Sequence, residues 1–311
     1  MDKQPGYSTL PDSSLHEAPA PGEQGASWRD FIALTKPGIL RSNLIATFGG
    51  FWLASGWHIQ FGHLLWTLLG TMLVMASSCV FNNYWDRELD MKMTRTRDRV
   101  LATGRLSPTI VLWYAIGLGI VGLSVLAIFA GLLAAALGAL GMFVYIVIYT
   151  LWLKRSSTWS TSIGGISGAM PPVIGYVAVS QQIDIGAWLL FAMLFLWQPP
   201  HFWALGIRRV EEYRAAGFPL LPVVKGITRT QYQMLPYIAL LIPVPILMYV
   251  YGYTGWIYMV TSLVLSVTWL VMAIAGFQKQ NKDQWAKRAF IFSINYLTIS
   301  FILMMIDTVH R

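Results

Sequence analysis

Apolar residues in this chain fall in long unbroken runs rather than in alternation with polar ones. Nine such runs cover approximately 38–56, 64–83, 108–130, 132–152, 160–180, 186–206, 234–253, 255–276 and 288–307. A helix needs about 20 apolar residues to cross the bilayer core, so each run predicts a transmembrane helix. A membrane barrel would show period-two alternation, and the stretch from Leu132 to Leu140 shows none. Very short turns separate the third and fourth runs, and the seventh and eighth. The expected fold is all-α: a polytopic integral membrane protein with nine transmembrane helices around a central cavity.

Residues 1–27 have no apolar run and contain four prolines among many Ser, Gly and Ala. Such a segment buries too little surface to fold. It reads as a disordered cytoplasmic tail ahead of a single membrane domain, 28–311. It has no apolar core of the signal-peptide kind. Asp2, Asp12, Glu17 and Glu23 against Lys3 are wrong for a mitochondrial transit peptide.

Composition sharpens this picture. The chain is 56% hydrophobic and 12% charged, against about 25% charged in soluble proteins. That excludes an ordinary soluble enzyme and a disordered chain. The 22 basic and 14 acidic residues leave a net charge of +8. All the basic residues except Arg311 fall on one side of the nine runs. Loops rich in Lys and Arg stay in the cytoplasm, so the N-terminus is expected inside and the C-terminus outside. The charge surplus therefore marks topology and does not point to nucleic acid. Trp57, Trp66, Trp188 and Trp256 lie near run ends, as in an aromatic belt. Cys79 is the only cysteine, so no internal disulfide is expected.

Two of the basic loops also carry acids. In the first, Asn82, Asp86 and Asp90 are spaced four and four. Four residues bring a helix back to one face with about 40° of drift, and the three side chains would form a column about 12 Å tall. Polar groups so near a membrane are costly unless they bind something. Two carboxylates and an amide suit Mg²⁺, which takes one or two carboxylates and completes its shell with water and phosphate oxygens. Arg95, Arg97, Arg99 and Arg105 follow, and arginine is well shaped for phosphate. A solvated loop with mutual salt bridges would hold the same residue types, but the aligned column favours a metal-plus-diphosphate site.

The second mixed loop opens with Trp197, Gln198, Pro199, Pro200 and His201. It continues through Arg208, Arg209, Glu211, Glu212 and Tyr213 to Lys225. The two prolines should break or kink the helix just before His201. His201, inside a run, is either a hydrogen-bonded structural residue or a ligand. Glu211 and Glu212 form either a second metal site or a solvated pair. A third stretch has Lys154 and Arg155, then Gly164, Gly165, Gly168, Pro171, Pro172 and Gly175. Its small residues allow close helix packing or make room for a flat ligand. The two cations reach phosphates or anchor topology. No Walker-type nucleotide loop, Cys/His zinc spacing or Ser-His-Asp pattern is present.

The run from Asn82 through Asp86 to Asp90 resembles the first aspartate-rich motif of the intramembrane prenyltransferase (UbiA) superfamily. Further segments are similar to its haem-farnesylating branch. They are Thr35-Lys36-Pro37-Gly38, Thr103 to Pro108, Lys154-Arg155, Gly168 to Tyr176, Trp197 to His201, and Tyr213 through Leu221 to Gly226. Two departures stand out. Position 83 is Asn where many superfamily members have Asp, and His201 with Glu211, Glu212 and Tyr213 replaces a second aspartate-rich motif.

The resemblance implies transfer of farnesyl from farnesyl diphosphate to a vinyl group of haem b, with water added to give haem O. It implies Mg²⁺ held by Asn82, Asp86 and Asp90. Asn82, Arg95, Arg99, Arg105, Lys154, Arg155, Glu212, Tyr213 and Lys225 would bind the substrates, and His201 would be catalytic with Asp86 and Asp90, ligating the haem iron, contacting a propionate or acting as a base for the water. Haem A synthase or the terminal oxidase assembly would be partners, and a bacterial plasma (inner) membrane the location. A prenyltransferase for a quinone precursor or a chlorophyll-type alcohol, and a transporter of an organic anion, are the competing expectations.

Overall fold

The computed structural model describes residues 27–91 and 96–310. Among these residues the regular structure is helical throughout, apart from one isolated bridge between Thr254 and Thr308. Short α1 (Trp28–Leu34) begins in a capping box, in which Ser27 accepts from Arg29 N–H and Asp30 accepts from Ser27 N–H. Then come α2 (Pro37–Ser55), α3 (Phe61–Asp90), α4 (Pro108–Ala130), α5 (Leu132–Ser156), α6 (Ser160–Ser180) and α7 (Ile185–Arg208). Two short helices, α8 (Val210–Ala215) and α9 (Leu221–Val224), lead to α10 (Gly226–Val250), α11 (Trp256–Gln278) and α12 (Lys282–Ile306).

Seven of these, α3 to α6 and α10 to α12, are long and apolar enough to cross a membrane by length and composition. The other two long helices, α2 with 19 residues and α7 with 24, fill the first and sixth expected places. Both are more polar: α2 opens with Arg41, Ser42 and Asn43, and α7 carries Gln198 and His201.

Two elements differ from the expectation. The second apolar run, 64–83, becomes a helix of 30 residues that ends at Asp90. Hydrophobicity marks only the part in apolar surroundings, whereas the helix runs on about 45 Å in all, beyond a hydrocarbon core of about 30 Å. Its final turns carry the polar column on beyond the apolar run. The interruption expected before His201 is also absent, since α7 stays helical through Pro199 and Pro200. The prolines remove two N–H donors. Both are buried, and packing of α7 against α6 and α12 holds the segment in helical form.

The bundle is centred on α6, in which every residue from Ala169 to Ala178 is buried. A helix buried on all sides lies inside a bundle. Peripheral helices instead expose large apolar side chains, such as Leu132 at 78% and Ile128 at 72%. A soluble surface rarely tolerates this, but here it is the lipid-facing side.

At the α2–α6 contact the backbones approach so closely that a Cβ at Gly50 would strike Pro172 O, and one at Gly175 would strike Thr47 O. Neither obstacle is a flexible side chain. Gly175→Val should therefore destabilise the bundle by at least about 1–3 kcal/mol, the usual cost of overpacking. Thermal unfolding in detergent checks this, and an unchanged midpoint would contradict the packing described.

Candidate active site

Because α3 remains helical to Asp90, Asn82, Asp86 and Asp90 do form one column, and all three are buried, at 3%, 1% and 6% exposure. Buried carboxylates demand partners. Asp86 Oδ2 accepts from Asn82 Nδ2 at 2.9 Å and also from Lys154 Nζ. Its Oδ1 accepts from Arg155 Nη2 at 3.3 Å. Asp90 Oδ2 accepts from Arg99 Nη1 at 2.7 Å, and Thr96 donates to Asp90 O at 2.9 Å.

Lys154 and Arg155 reach Asp86 from the end of α5. The Val144–Leu153 stretch of that helix is π-helical, a distortion common at functional sites. It brings Thr150, which accepts from Asn82 Nδ2 at 3.2 Å, to the same side as Lys154. The Lys154 ammonium lies 5.9 Å from the Tyr149 ring centre and 5.2 Å from that of Phe218.

A fourth cation comes from Lys36, a residue of the Thr35–Gly38 segment to which sequence reasoning assigned no role at the site. Lys36 joins α1 to α2 in a left-handed conformation, φ 56°, and its Nζ donates to Asn82 Oδ1 at 2.5 Å. Burial pushes its ammonium from the ordinary 10.5 down to about 8, and nearby Arg99 and Lys154 act in the same direction. Four cations, Lys36, Arg99, Lys154 and Arg155, thus meet two carboxylates. The surplus of positive charge is suited to an anion.

The remaining candidates lie in several places. Arg95 is outside the described residues. Arg105 pairs with Asp30 of α1 at 3.0 Å rather than with the column. Glu212 accepts from Arg209 at 3.3 Å, while its buried Oε1 has no hydrogen-bond partner. Tyr213 meets the Phe218 ring edge-on at 6.2 Å, and Leu89 packs against the same Ala216–Phe218 cluster, which brings the second mixed loop against the end of α3. Glu211 is in an exposed pair with Arg214. Lys225 is exposed at the end of α9. The glycines after Arg155 serve packing: a Cβ at Gly168 would strike Gln198 Oε1, and one at Gly164 would meet the Tyr149 ring at 2.8 Å.

His201 is held between α7 and α12. Its ring stacks on Trp197 at 4.3 Å and on Phe290 at 4.6 Å. Its Nδ1 lies 2.7 Å from Ser293 Oγ, and the Ser293 hydroxyl donates to Phe290 O at 2.6 Å. With that proton committed, the Ser293 oxygen accepts from His201 Nδ1–H. Nε2 is then the lone-pair nitrogen of the ring.

The column offers only hard oxygen donors, and no group of three His, Cys, Asp or Glu side chains fit to hold a metal occurs among the described residues. Such a site cannot cage a metal alone. It fits Mg²⁺, which leaves coordination positions for water and phosphate oxygens. The Asn82 oxygen is shared with Lys36.

The sequence profile of the UbiA prenyltransferase family matches residues 43–295. The chain is 44% identical over 301 residues to Protoheme IX farnesyltransferase of Alkalihalophilus pseudofirmus, covering 95% of this chain and 94% of that one. It is 48% identical over 289 residues to Protoheme IX farnesyltransferase 1 of Bacillus subtilis, covering 90% of each. Among solved structures, it superposes on one concerning digeranylgeranylglyceryl phosphate synthase with a TM-score of 0.78 at 17% identity, covering 90% of this chain and 97% of that one. A UbiA homolog from Archaeoglobus fulgidus bound to DMAPP and Mg²⁺ superposes with a TM-score of 0.61 at 17% identity, covering 88% and 99%.

Proposed function

The chain belongs to the UbiA prenyltransferase family, and on that premise we propose that it transfers farnesyl from farnesyl diphosphate to a vinyl group of haem b, giving haem O and diphosphate. The observation that carries this reading is the buried Asn82–Asp86–Asp90 column ringed by four cations. Relatives that match nearly the whole chain bear the name of this activity.

Asp86 and Asp90 would hold Mg²⁺, with the Asn82 oxygen as a further donor. When bound, the metal neutralises charge on the diphosphate oxygens and so makes diphosphate a better leaving group. Lys36, Lys154, Arg155 and Arg99 surround the same place and stabilise the negative charge that grows as the farnesyl C–O bond breaks. Such fixed, water-excluded charges are often the largest catalytic contribution. Arg95 and Lys225 supply further positive charge to the approaching diphosphate, and Glu212 and Tyr213 border it, while the charge of Arg105 is engaged by Asp30. The bond electrons leave with diphosphate, and the allylic cation is attacked by the vinyl π-bond. The cation formed on the haem side takes up water, which loses a proton. His201 would position the haem, with Nε2 the nitrogen that could meet the iron. Lipid-side helices exclude stray water from the cation.

We further read nine membrane spans, with α2 and α7 completing the set, in a single domain over 28–311 that follows the 1–27 tail. The N-terminus and the active-site loops face the cytoplasm at a bacterial plasma membrane. Haem A synthase or terminal oxidase assembly receives the product. The test is mass analysis of haem extracted from membranes lacking haem O, with and without this chain. A haem O peak should depend on the chain. Unchanged haem b would refute the assignment, and a transporter would likewise leave both ligands unmodified.

A further inference from the structure

Lys36 reaches the column only because the chain turns sharply between α1 and α2, and the turn leaves one backbone group in need. As α1 ends, Thr35 N–H donates to Ile32 O and Lys36 N–H donates to Ala33 O. The next carbonyl, Leu34 O, would look to residue 37 or 38. Pro37 has no N–H, and the left-handed turn at Lys36, φ 56° and ψ 68°, ends the helical path. Leu34 is itself buried, so water cannot serve its carbonyl.

Asn83 serves it instead. Its Nδ2 donates to Leu34 O at 2.7 Å, across 49 residues of sequence. Asn83 is 4% exposed, and its Oδ1 has no partner. Donation to Leu34 O is therefore what the amide does, and a carboxylate of the same shape cannot do it. The adjacent residue, Asn82, receives the Lys36 ammonium. Neighbouring residues of α3 thus hold both ends of one device: Asn83 the backbone just before Lys36, and Asn82 its Nζ. The Arg105–Asp30 ion pair at 3.0 Å ties α1 to the loop after α3 from the other side.

We propose that Asn83 is a positioning residue that clamps the α1–α2 elbow and so places Lys36 at the diphosphate-binding site. This rests on the function proposed above. Asn83 touches no reacting atom and acts through Lys36.

The test uses Asn83→Asp, Asn83→Ala, Lys36→Met and the double variants in the full-length protein reconstituted in lipid. Asn83→Asp places two acceptors face to face, and Asn83→Ala removes the donor without adding charge. Both should raise the KM for farnesyl diphosphate about tenfold to a hundredfold, the range for a misplaced binding group, with the KM for haem b unchanged. Either change combined with Lys36→Met should add nothing to the Lys36→Met effect. Hydrogen exchange should quicken at the Thr35 and Lys36 amides in both Asn83 variants. Unchanged exchange, an unchanged KM, or effects that multiply with Lys36→Met would overturn the clamp. Wild-type protein that transfers no farnesyl would instead refute the proposed function, and the exchange measurement would still decide the clamp.

Discussion

Asp86→Asn should reduce farnesyl transfer by about a thousandfold or more, the scale of losing a principal charge-stabilising group, without loss of membrane insertion. The Asp86 carboxylate accepts more hydrogen bonds than any other side chain of the column: Lys154, Arg155 and Asn82 all donate to it. Asparagine keeps its shape and an oxygen for Lys154, so the fold around it survives. It lacks the negative charge that a divalent ion requires. Chelation of divalent ions should bring the wild type down to the level of the variant and should cost the variant nothing further. Mass analysis of extracted haem gives the rate, and a single symmetric peak on size exclusion reports folding. A variant within a few-fold of wild type would remove Asp86 from the chemistry.

His201→Ala should weaken use of haem b by about 10- to 100-fold, as when a metal-directed histidine or its support is lost, and leave the KM for farnesyl diphosphate alone. The imidazole is fixed on both faces by Trp197 and Phe290 and at Nδ1 by Ser293. That arrangement selects the tautomer whose Nε2 carries the lone pair, the form able to meet iron. Ser293→Ala should act in the same direction with a smaller effect, because the ring keeps its stacking partners. Unchanged haem affinity and turnover in His201→Ala would make this histidine a packing residue.

Much of this was legible in the sequence, for definite reasons. Bilayer crossing imposes a length and a composition, so the apolar runs predicted nearly every long helix. Helical periodicity placed Asn82, Asp86 and Asp90 on one face, and the relation holds because α3 continues past its apolar part. Contacts between distant segments were not legible. Nothing local to Thr35-Lys36-Pro37 says that the lysine meets Asn82, 46 residues on. Likewise, Arg105 reads as one more phosphate cation until Asp30 is found beside it. Asn83 instead of Asp looked like the loss of a carboxylate, and its amide donor has meaning only once the end of α1 lies against it. The prolines before His201 predicted a break because local preference ignores the packing that keeps α7 helical. Glycines 164, 168 and 175 read first as packing residues, with room for a flat ligand as the alternative, and the close neighbours of all three agree with packing.

The most direct measurement is a single-turnover reaction with purified protein in lipid, haem b, isotope-labelled farnesyl diphosphate and Mg²⁺. Label in haem and released diphosphate are followed together. The proposed function predicts that both appear in equal amounts, that haem gains one farnesyl and one water, and that Asp86→Asn forms neither. Diphosphate release without labelled haem, or labelled haem formed equally well by Asp86→Asn, would contradict it.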